Sequence, residues 1–255
     1  LVLLCLTGVG PLLVWRRTSK EAFIKNFTIP VLTGLVIFVF CFSMGLRNAT
    51  LISFPLCGFV TMAILIEFQR GIKSRVTRFN ESFLGALKML ISKNRSRYGG
   101  YIVHLGIMFM FIGFSGNAFD SETEFAIKTG ETKEFGGYNF ELVNIQPIER
   151  PNHIAWIAGL NVWNFHHELV TTLFPEKRVY FYKDPNPDKR QPHSELDIYS
   201  TLNKDIYSIF SGVDMEQQIA YLKIMINPLV WWVWFGGYVL IFGTMISLWP
   251  AKDSE

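Results

Sequence analysis

The feature that most constrains this chain is a long apolar segment that follows a basic cluster. Arg95 and Arg97 lead into a hydrophobic run that continues to about Phe119. A helix of roughly 20 apolar residues is long enough to cross a bilayer. A backbone in lipid must satisfy its own hydrogen bonds, so a helix is the expected structure. The segment therefore predicts a transmembrane helix.

Composition extends this prediction to the whole chain. Of its 255 residues 50% are hydrophobic, the mean hydropathy is +0.26, and the apolar residues occur in blocks. Further spans are predicted at about 29–45, 51–68 and 229–249, with residues 1–15 as the end of another. We therefore expect a polytopic α-helical membrane protein with about five spans. Since the chain begins inside an apolar run, without an initiator methionine, we expect it to be the C-terminal portion of a longer protein.

Charge in the connecting segments predicts the orientation. The 16–28 loop and the 69–100 connection are short and rich in Lys and Arg, which places them on the cytoplasmic side. The domain of residues 1–119 would then hold helices and cytoplasmic loops, 120–226 would be extracytoplasmic, and 227–255 would hold the last helix and a cytoplasmic tail. Within the basic connection, apolar residues from Phe83 to Ile91 recur at helical spacing. They predict an amphipathic helix that lies on the membrane surface or packs on the bundle. The basic charge is better explained by topology and anionic lipid than by nucleic acid.

Residues 120–226 predict a β-rich domain, a small sandwich or barrel-like fold inserted before the last helix. Short alternating or β-branched runs are separated by turn residues. The predicted strands are 125–127, 138–145, 179–182, 196–201, 206–210 and 219–226. The predicted turns include Gly136-Gly137, Pro185-Asn-Pro-Asp188 and Gly212.

His104 is the strongest candidate site residue, because it is the only histidine in any hydrophobic span. Ionisable groups inside membranes are costly and usually face a partner, a cavity or a ligand. Imidazole is a common ligand of haem iron, but a membrane histidine also hydrogen-bonds neighbouring helices. Gly100 and Met108 share its helix face at i−4 and i+4, and glycines there either leave room for a flat macrocycle or let helices approach closely. Both interpretations remain open from the residues alone.

Other chemistry-bearing residues give weaker signals. His153, His166, His167 and His193 fall in the outer region, and adjacent His166 and His167 on a strand would point to opposite faces, which argues against a shared metal ion. The pairs Glu122 with Glu124 and Glu195 with Asp197 have spacings that allow a common strand face, and we interpret them as solvated surface. The cysteines, Cys5, Cys41 and Cys57, form no Cys-x-x-Cys motif. No catalytic residue is predicted.

The last span opens with several tryptophans. Trp231, Trp232 and Trp234 stand where an interfacial aromatic belt is expected. Anchoring is the main interpretation, and Trp231 and Trp232 could also form part of a platform for a flat ligand.

Five stretches together resemble the C-terminal part of the CcmF/NrfE family of cytochrome c maturation proteins, which supply a haem-ligation subunit. They occur in family order across almost the whole chain. The stretches are Gly8-Val-Gly-Pro11 with Trp15-Arg16-Arg17, Arg97-Tyr-Gly-Gly-Tyr-Ile-Val-His104-Leu-Gly106, Pro175-Glu176-Lys-Arg178, Ser194-Glu195, and Asn227-Pro-Leu-Val-Trp-Trp-Val-Trp-Phe-Gly-Gly237.

The resemblance implies a bacterial inner-membrane protein that binds a b-type haem, with His104 as one of two axial ligands to the iron and the other ligand upstream. It also implies a role in a haem lyase complex, in which electrons pass from membrane quinol to haem on a haem chaperone before thioether bonds form with apocytochrome c. The implied partners include thiol-reducing subunits that keep the apocytochrome cysteines reduced.

Two other classes of function remain open. A transporter of haem or another hydrophobic solute would place His104 in its pathway and should show interrupted helices or inverted repeats. A membrane-anchored docking module would make the β domain the functional part and His104 dispensable.

Overall fold

The computed structural model describes residues 2–12, 20–47, 49–181 and 191–250. Three sequence predictions lie wholly outside these ranges: the Trp15-Arg16-Arg17 stretch, the Pro185–Asp188 turn and the charged tail beyond Pro250. The described chain forms two compact units, Leu1–Ala118 with Leu229–Glu255, and Phe119–Pro228.

The first unit is helical. Its elements are α1 (Val2–Leu12), α2 (Lys20–Ser43), α3 (Thr50–Phe79), α4 (Phe83–Lys93), α5 (Arg95–Ser115), a short 3-10 turn (Gly116–Phe119) and α6 (Val230–Leu248). Among the described residues, four segments are long and apolar enough to cross a membrane: Asn26–Ser43, Thr50–Phe79, Arg95–Phe119 and Val230–Leu248. They match four of the predicted spans. Helix α1 has 11 residues, only roughly 16 Å of helix, so a fifth full crossing is not observed there.

Two helices continue beyond the predicted apolar segments. Residues 20–28, predicted as a loop, form the first turns of α2, and α3 extends past Phe68 to Phe79. Charged side chains end the apolar segment that can lie in the membrane, but they do not interrupt the backbone hydrogen bonds of a helix. The helices therefore continue through these polar extensions. Helix α3 stops at Asn80, whose φ of 51° is left-handed.

The predicted amphipathic helix is present as α4. The Ser82 side chain accepts a hydrogen bond from the Gly85 amide at its start. Ala86 and Leu90 are buried in the apolar core of the helical unit, while Phe83 and Leu84 remain exposed. The helix therefore packs on the bundle with one side, and its contact with the membrane surface stays a prediction.

Helices α5 and α6 pack at backbone contact distance. A Cβ built at Gly99 would lie 2.7 Å from the Ser247 nitrogen, and one at Gly106 would lie 2.6 Å from the Leu240 nitrogen. Gly113 repeats this contact against Val233 one heptad later. In a membrane, burial of apolar side chains contributes little to helix association, because lipid tails are equally apolar. Small residues stabilise the pair by letting the two backbones approach closely.

The second unit is an antiparallel β-sandwich. Its strands are β1 (Ser121–Lys128), β2 (Thr132–Phe135), β3 (Tyr138–Arg150), β4 (His153–Asn164), β5 (Leu169–Leu173), β6 (Glu176–Tyr180), β7 (His193–Glu195), β8 (Asp197–Ser200), β9 (Lys204–Asp214) and β10 (Ile219–Pro228). One sheet has the order β1-β10-β9-β8, and the other has β2-β3-β4-β6-β7 with β5 also paired to β4. Buried Phe140 and Leu160 from one sheet meet Phe210 and Leu222 from the other in one core.

The sequence prediction missed β2, β4, β5 and β7. Strand β4 is the central strand of the larger sheet, and most of its residues are buried or half-buried on both faces. Burial on both faces removes the alternation of polar and apolar residues by which strands are recognised.

Candidate functional site

His104 lies near the middle of α5, on the border of the face that packs on α3. Tyr101 and Met108, three residues before it and four after it, are buried in the apolar core formed with α3. The His104 side chain is half-buried, and its Nδ1 is buried with no hydrogen-bond partner among the described residues. A buried polar atom without a partner costs about 1–3 kcal/mol and calls for a specific explanation. A ligand to the ring is one such explanation.

The glycines around His104 divide into two kinds. At Gly99, Gly106 and Gly113, atoms of α6 already occupy the space that a Cβ would take, so these glycines serve helix packing. Gly100 is different, because a Cβ built there meets no described atom within 4 Å. Since Gly100 lies one turn before His104 on the same face, it leaves open space beside the imidazole.

The other predicted pocket residues differ in their positions around α5. Met108 lies one turn after His104 on the same face and is buried in the core formed with α3. Trp232 stacks on Phe109, with centroids 5.5 Å apart, and Trp231 stacks on Phe235 at 5.1 Å. Phe109 follows His104 by five residues, which is about 140° around α5. The structure therefore brings Gly100 and His104 together and places the tryptophan pair on another side of α5.

Sequence reasoning missed Glu67, a carboxylate inside the predicted third span. Its side chain is buried, and Oε2 lies 2.6 Å from Nη2 of Arg97 while Oε1 lies 3.2 Å from Nη1 of Arg70. Arg97 Nε also donates to the Tyr101 hydroxyl at 2.9 Å. An acidic residue in an apolar span is a recognisable signal, but its partner Arg97 is 30 residues away. This network fixes the start of α5 against α3, two turns before His104.

In the sandwich, His153 and His193 both contact the Tyr180 ring, with centroids 4.9 and 5.8 Å away, whereas His166 and His167 lie in a turn. His153 is 5% exposed, and its Nδ1 lies 2.7 Å from the Asn152 Oδ1. The assumption that His166 and His167 lie on a strand is wrong, because they form the turn between β4 and β5, where His167 has a φ of 60°. The Asn164 Oδ1 accepts the His166 and Glu168 amides at 2.9 Å and stabilises this turn.

The carboxylates of the sandwich make structural contacts. Glu122 and Glu124 share a face of β1 and both contact Lys223, at 3.0 and 3.7 Å, and the hydrogen bond that Lys223 donates to Glu122 raises the pKa of that lysine. Glu195 and Asp197 do not share a strand, because they belong to β7 and β8 in different sheets. Among the described residues, no three His, Cys, Asp or Glu side chains converge as a metal site.

The family model and the individual relatives that this chain matches agree with one another. Residues 118–228 match the family model described as the CcmF C-terminal beta-sandwich. The chain is 27% identical over 249 residues to the cytochrome c-type biogenesis protein CcmF of Haemophilus influenzae, covering 97% of this chain and 36% of that protein. It is 26% identical to CcmF of Pseudomonas aeruginosa, covering 96% and 35%. The chain thus spans about a third of the length of these relatives.

A solved structure confirms the fold. The structure named Cytochrome c Heme Lyase CcmF superposes with a TM-score of 0.74 at 23% identity, covering 97% of this chain and 38% of that one. NrfE of Haemophilus influenzae is 23% identical over 161 residues, covering 63% of this chain and 24% of NrfE. The helices and the sandwich both lie within the matched regions, so residues 118–228 match the CcmF C-terminal beta-sandwich and almost the whole chain is similar to the C-terminal part of CcmF, a cytochrome c-type biogenesis protein.

Proposed function

We propose that this chain serves cytochrome c maturation by holding a b-type haem on His104 within the membrane, as part of a complex that attaches haem covalently to apocytochrome c. The names of the relatives, cytochrome c-type biogenesis protein and heme lyase, support the process. The observation that supports the residue is the buried, unpartnered Nδ1 of His104 in an apolar helix.

The residues around His104 fit a haem. A neutral imidazole supplies a nitrogen lone pair to iron, and the open space beside Gly100 gives a flat ring room on the same helix face. When bound, the haem supplies one-electron redox chemistry. The apolar residues of α3 and α5 exclude water from the ring, and the Glu67–Arg97 pair holds α5 in place.

Loop charge supports an orientation for this site. With the basic connection between α3 and α5 on the cytoplasmic side, His104 lies in the inner half of the bilayer and the sandwich lies in the periplasm. A haem at that depth suits an electron relay, with membrane quinol as the proposed donor and chaperone-bound haem as the acceptor. The sandwich then faces the compartment where apocytochrome c, the haem chaperone and the thiol-reducing subunits act.

The visible spectrum of the natural full-length protein tests this function. We expect His104→Ala to abolish the absorption bands of reduced b-type haem after dithionite, because the iron loses an axial ligand. The matched control is His153→Ala, which removes a buried imidazole from the sandwich and should leave the spectrum unchanged.

A second variant separates loss of ligand from loss of fold. His104→Met offers a thioether in place of the imidazole, so the protein should retain haem with a shifted midpoint potential. An unchanged spectrum in the alanine variant would remove His104 from haem binding. Full complementation of cytochrome c maturation by that variant, combined with failure of sandwich surface variants, would favour the docking module instead.

A further inference from the structure

A groove of about 400 Å³ opens in the helical unit where α4, the start of α5 and the end of α6 meet. Lys88 and Ile91 line it from α4, and Arg95 lines it from α5. Phe242, Met245 and Trp249 form the opposite wall along the end of α6. Neither Gly100 nor His104 lines this groove.

The two cations give the groove a charged end. Arg95 donates from Nε to the Ser92 carbonyl at 3.1 Å and from Nη1 to the Pro250 carbonyl at 2.5 Å, so backbone contacts hold its guanidinium at this site. Lys88 lies on the same helix as Ile91, three residues earlier, and on the same side of α4. Among the described residues, no carboxylate forms an ion pair with Lys88 or Arg95, whereas Arg75 pairs with Glu81 and Arg97 with Glu67. The groove therefore offers positive charge to an anion.

The rest of the groove is apolar. Phe242, Met245 and Trp249 are each more than half exposed within the described chain. Their positions at one end of a membrane-length helix place them along the acyl region, with Trp249 at the level where interfacial tryptophans are found. A ligand that fills this groove needs a hydrocarbon part and an anionic head.

We infer that this groove binds an anionic phospholipid, with its phosphate between Lys88 and Arg95 and an acyl chain along Phe242, Met245 and Trp249. The positive charge of Lys88 and Arg95, together with the predicted contact of α4 with the membrane surface, favours an anionic lipid of the leaflet on the α4 side. Phe83 and Leu84 of α4 are exposed within the basic connection, as expected for a helix that meets the headgroup layer. This inference is independent of haem binding at His104.

Photo-crosslinking in nanodiscs tests the site directly. The natural full-length protein would be reconstituted in phosphatidylcholine with a trace of photoactivatable phosphatidylglycerol, and cross-links would be mapped by mass spectrometry. We expect phosphatidylglycerol to label residues 242–249 more than a phosphatidylcholine probe does. The Lys88→Gln/Arg95→Gln variant should lower that labelling at least fivefold, since each cation near a membrane surface changes anionic lipid binding by about that factor.

The control variant removes the same charge elsewhere in the basic connection. Lys73→Gln/Arg78→Gln alters two cations of α3 that do not line the groove and should leave labelling at 242–249 unchanged. Met245→Trp fills the apolar part of the groove without changing its charge and should also reduce labelling. This variant tests the site even if the Lys88→Gln/Arg95→Gln variant folds poorly. Three outcomes would overturn the inference. The two probes could label residues 242–249 equally, or the control variant could lose as much labelling as the Lys88/Arg95 variant. Residues 242–249 could also carry no label, because another helix occupies the groove.

Discussion

Replacement of Gly236 by alanine should destabilise the α5–α6 pair, while the same change at the adjacent Gly237 should not. A Cβ at Gly236 would lie 2.6 Å from the Gly106 carbonyl oxygen and 2.7 Å from the Met110 nitrogen. These are backbone atoms, so no side chain can rotate away. A Cβ at Gly237 meets no described atom within 4 Å.

The magnitude follows from these distances. The closest Gly236 contact is about 0.8 Å short of the 3.4 Å at which ordinary contact begins, so the two helices must move apart. Overpacking of this kind costs about 1–3 kcal/mol, and alanine returns up to about 1 kcal/mol through its better helix propensity. We therefore expect Gly236→Ala to lose about 1–2 kcal/mol and Gly237→Ala to be neutral or slightly stabilising.

The assay is reversible unfolding of the membrane protein in mixed micelles, followed by tryptophan fluorescence. A Gly106→Ala/Gly236→Ala double variant adds a second check, because each Cβ would contact the carbonyl of the other glycine. One separation of the helices relieves both clashes, so the double variant should lose less than the sum of the single losses. Equal stability of the Gly236 and Gly237 variants would refute the packing argument.

Two further predictions concern charged groups. Glu67→Gln should lower the free energy of unfolding by about 1–3 kcal/mol, because the buried Glu67 carboxylate accepts charge-assisted hydrogen bonds. Arg70→Gln removes only a half-exposed partner and should change that free energy by less than about 0.5 kcal/mol. Equal losses for the two variants in the same unfolding assay would contradict this prediction. Glu131 accepts the Lys128 amide at 2.9 Å, and that bond, followed by Lys133, lowers the pKa of the Glu131 carboxyl below its ordinary 4.5. The stabilisation of this turn is therefore present above that ordinary value and lost as pH falls through the lower folded-state pKa. Acid should then lower the protection of the Lys128 amide, measured as its hydrogen-exchange rate relative to the intrinsic rate at the same pH. Glu131→Gln should remove this extra pH dependence, and an unchanged dependence would count against it.

Prediction from sequence succeeded where one local property decides the structure. The four membrane-length helices followed from apolar length, because lipid leaves a backbone no other way to satisfy its hydrogen bonds. Strands such as β10 were found from alternation, since one face meets the core and the other meets water. Strand β4 was missed because both of its faces are covered, so its residues carry no alternation.

The candidate site divides in the same way. The sequence by itself singles out His104 as a candidate, because an imidazole in an apolar span is recognisable wherever it packs. It could not separate Gly99 from Gly100, two adjacent glycines of which one meets α6 backbone and the other faces open space. Nor could it pair Glu67 with Arg97, which lie on different helices. These outcomes depend on how each helix is rotated toward its neighbours, and that rotation is settled only when all the packing contacts form together.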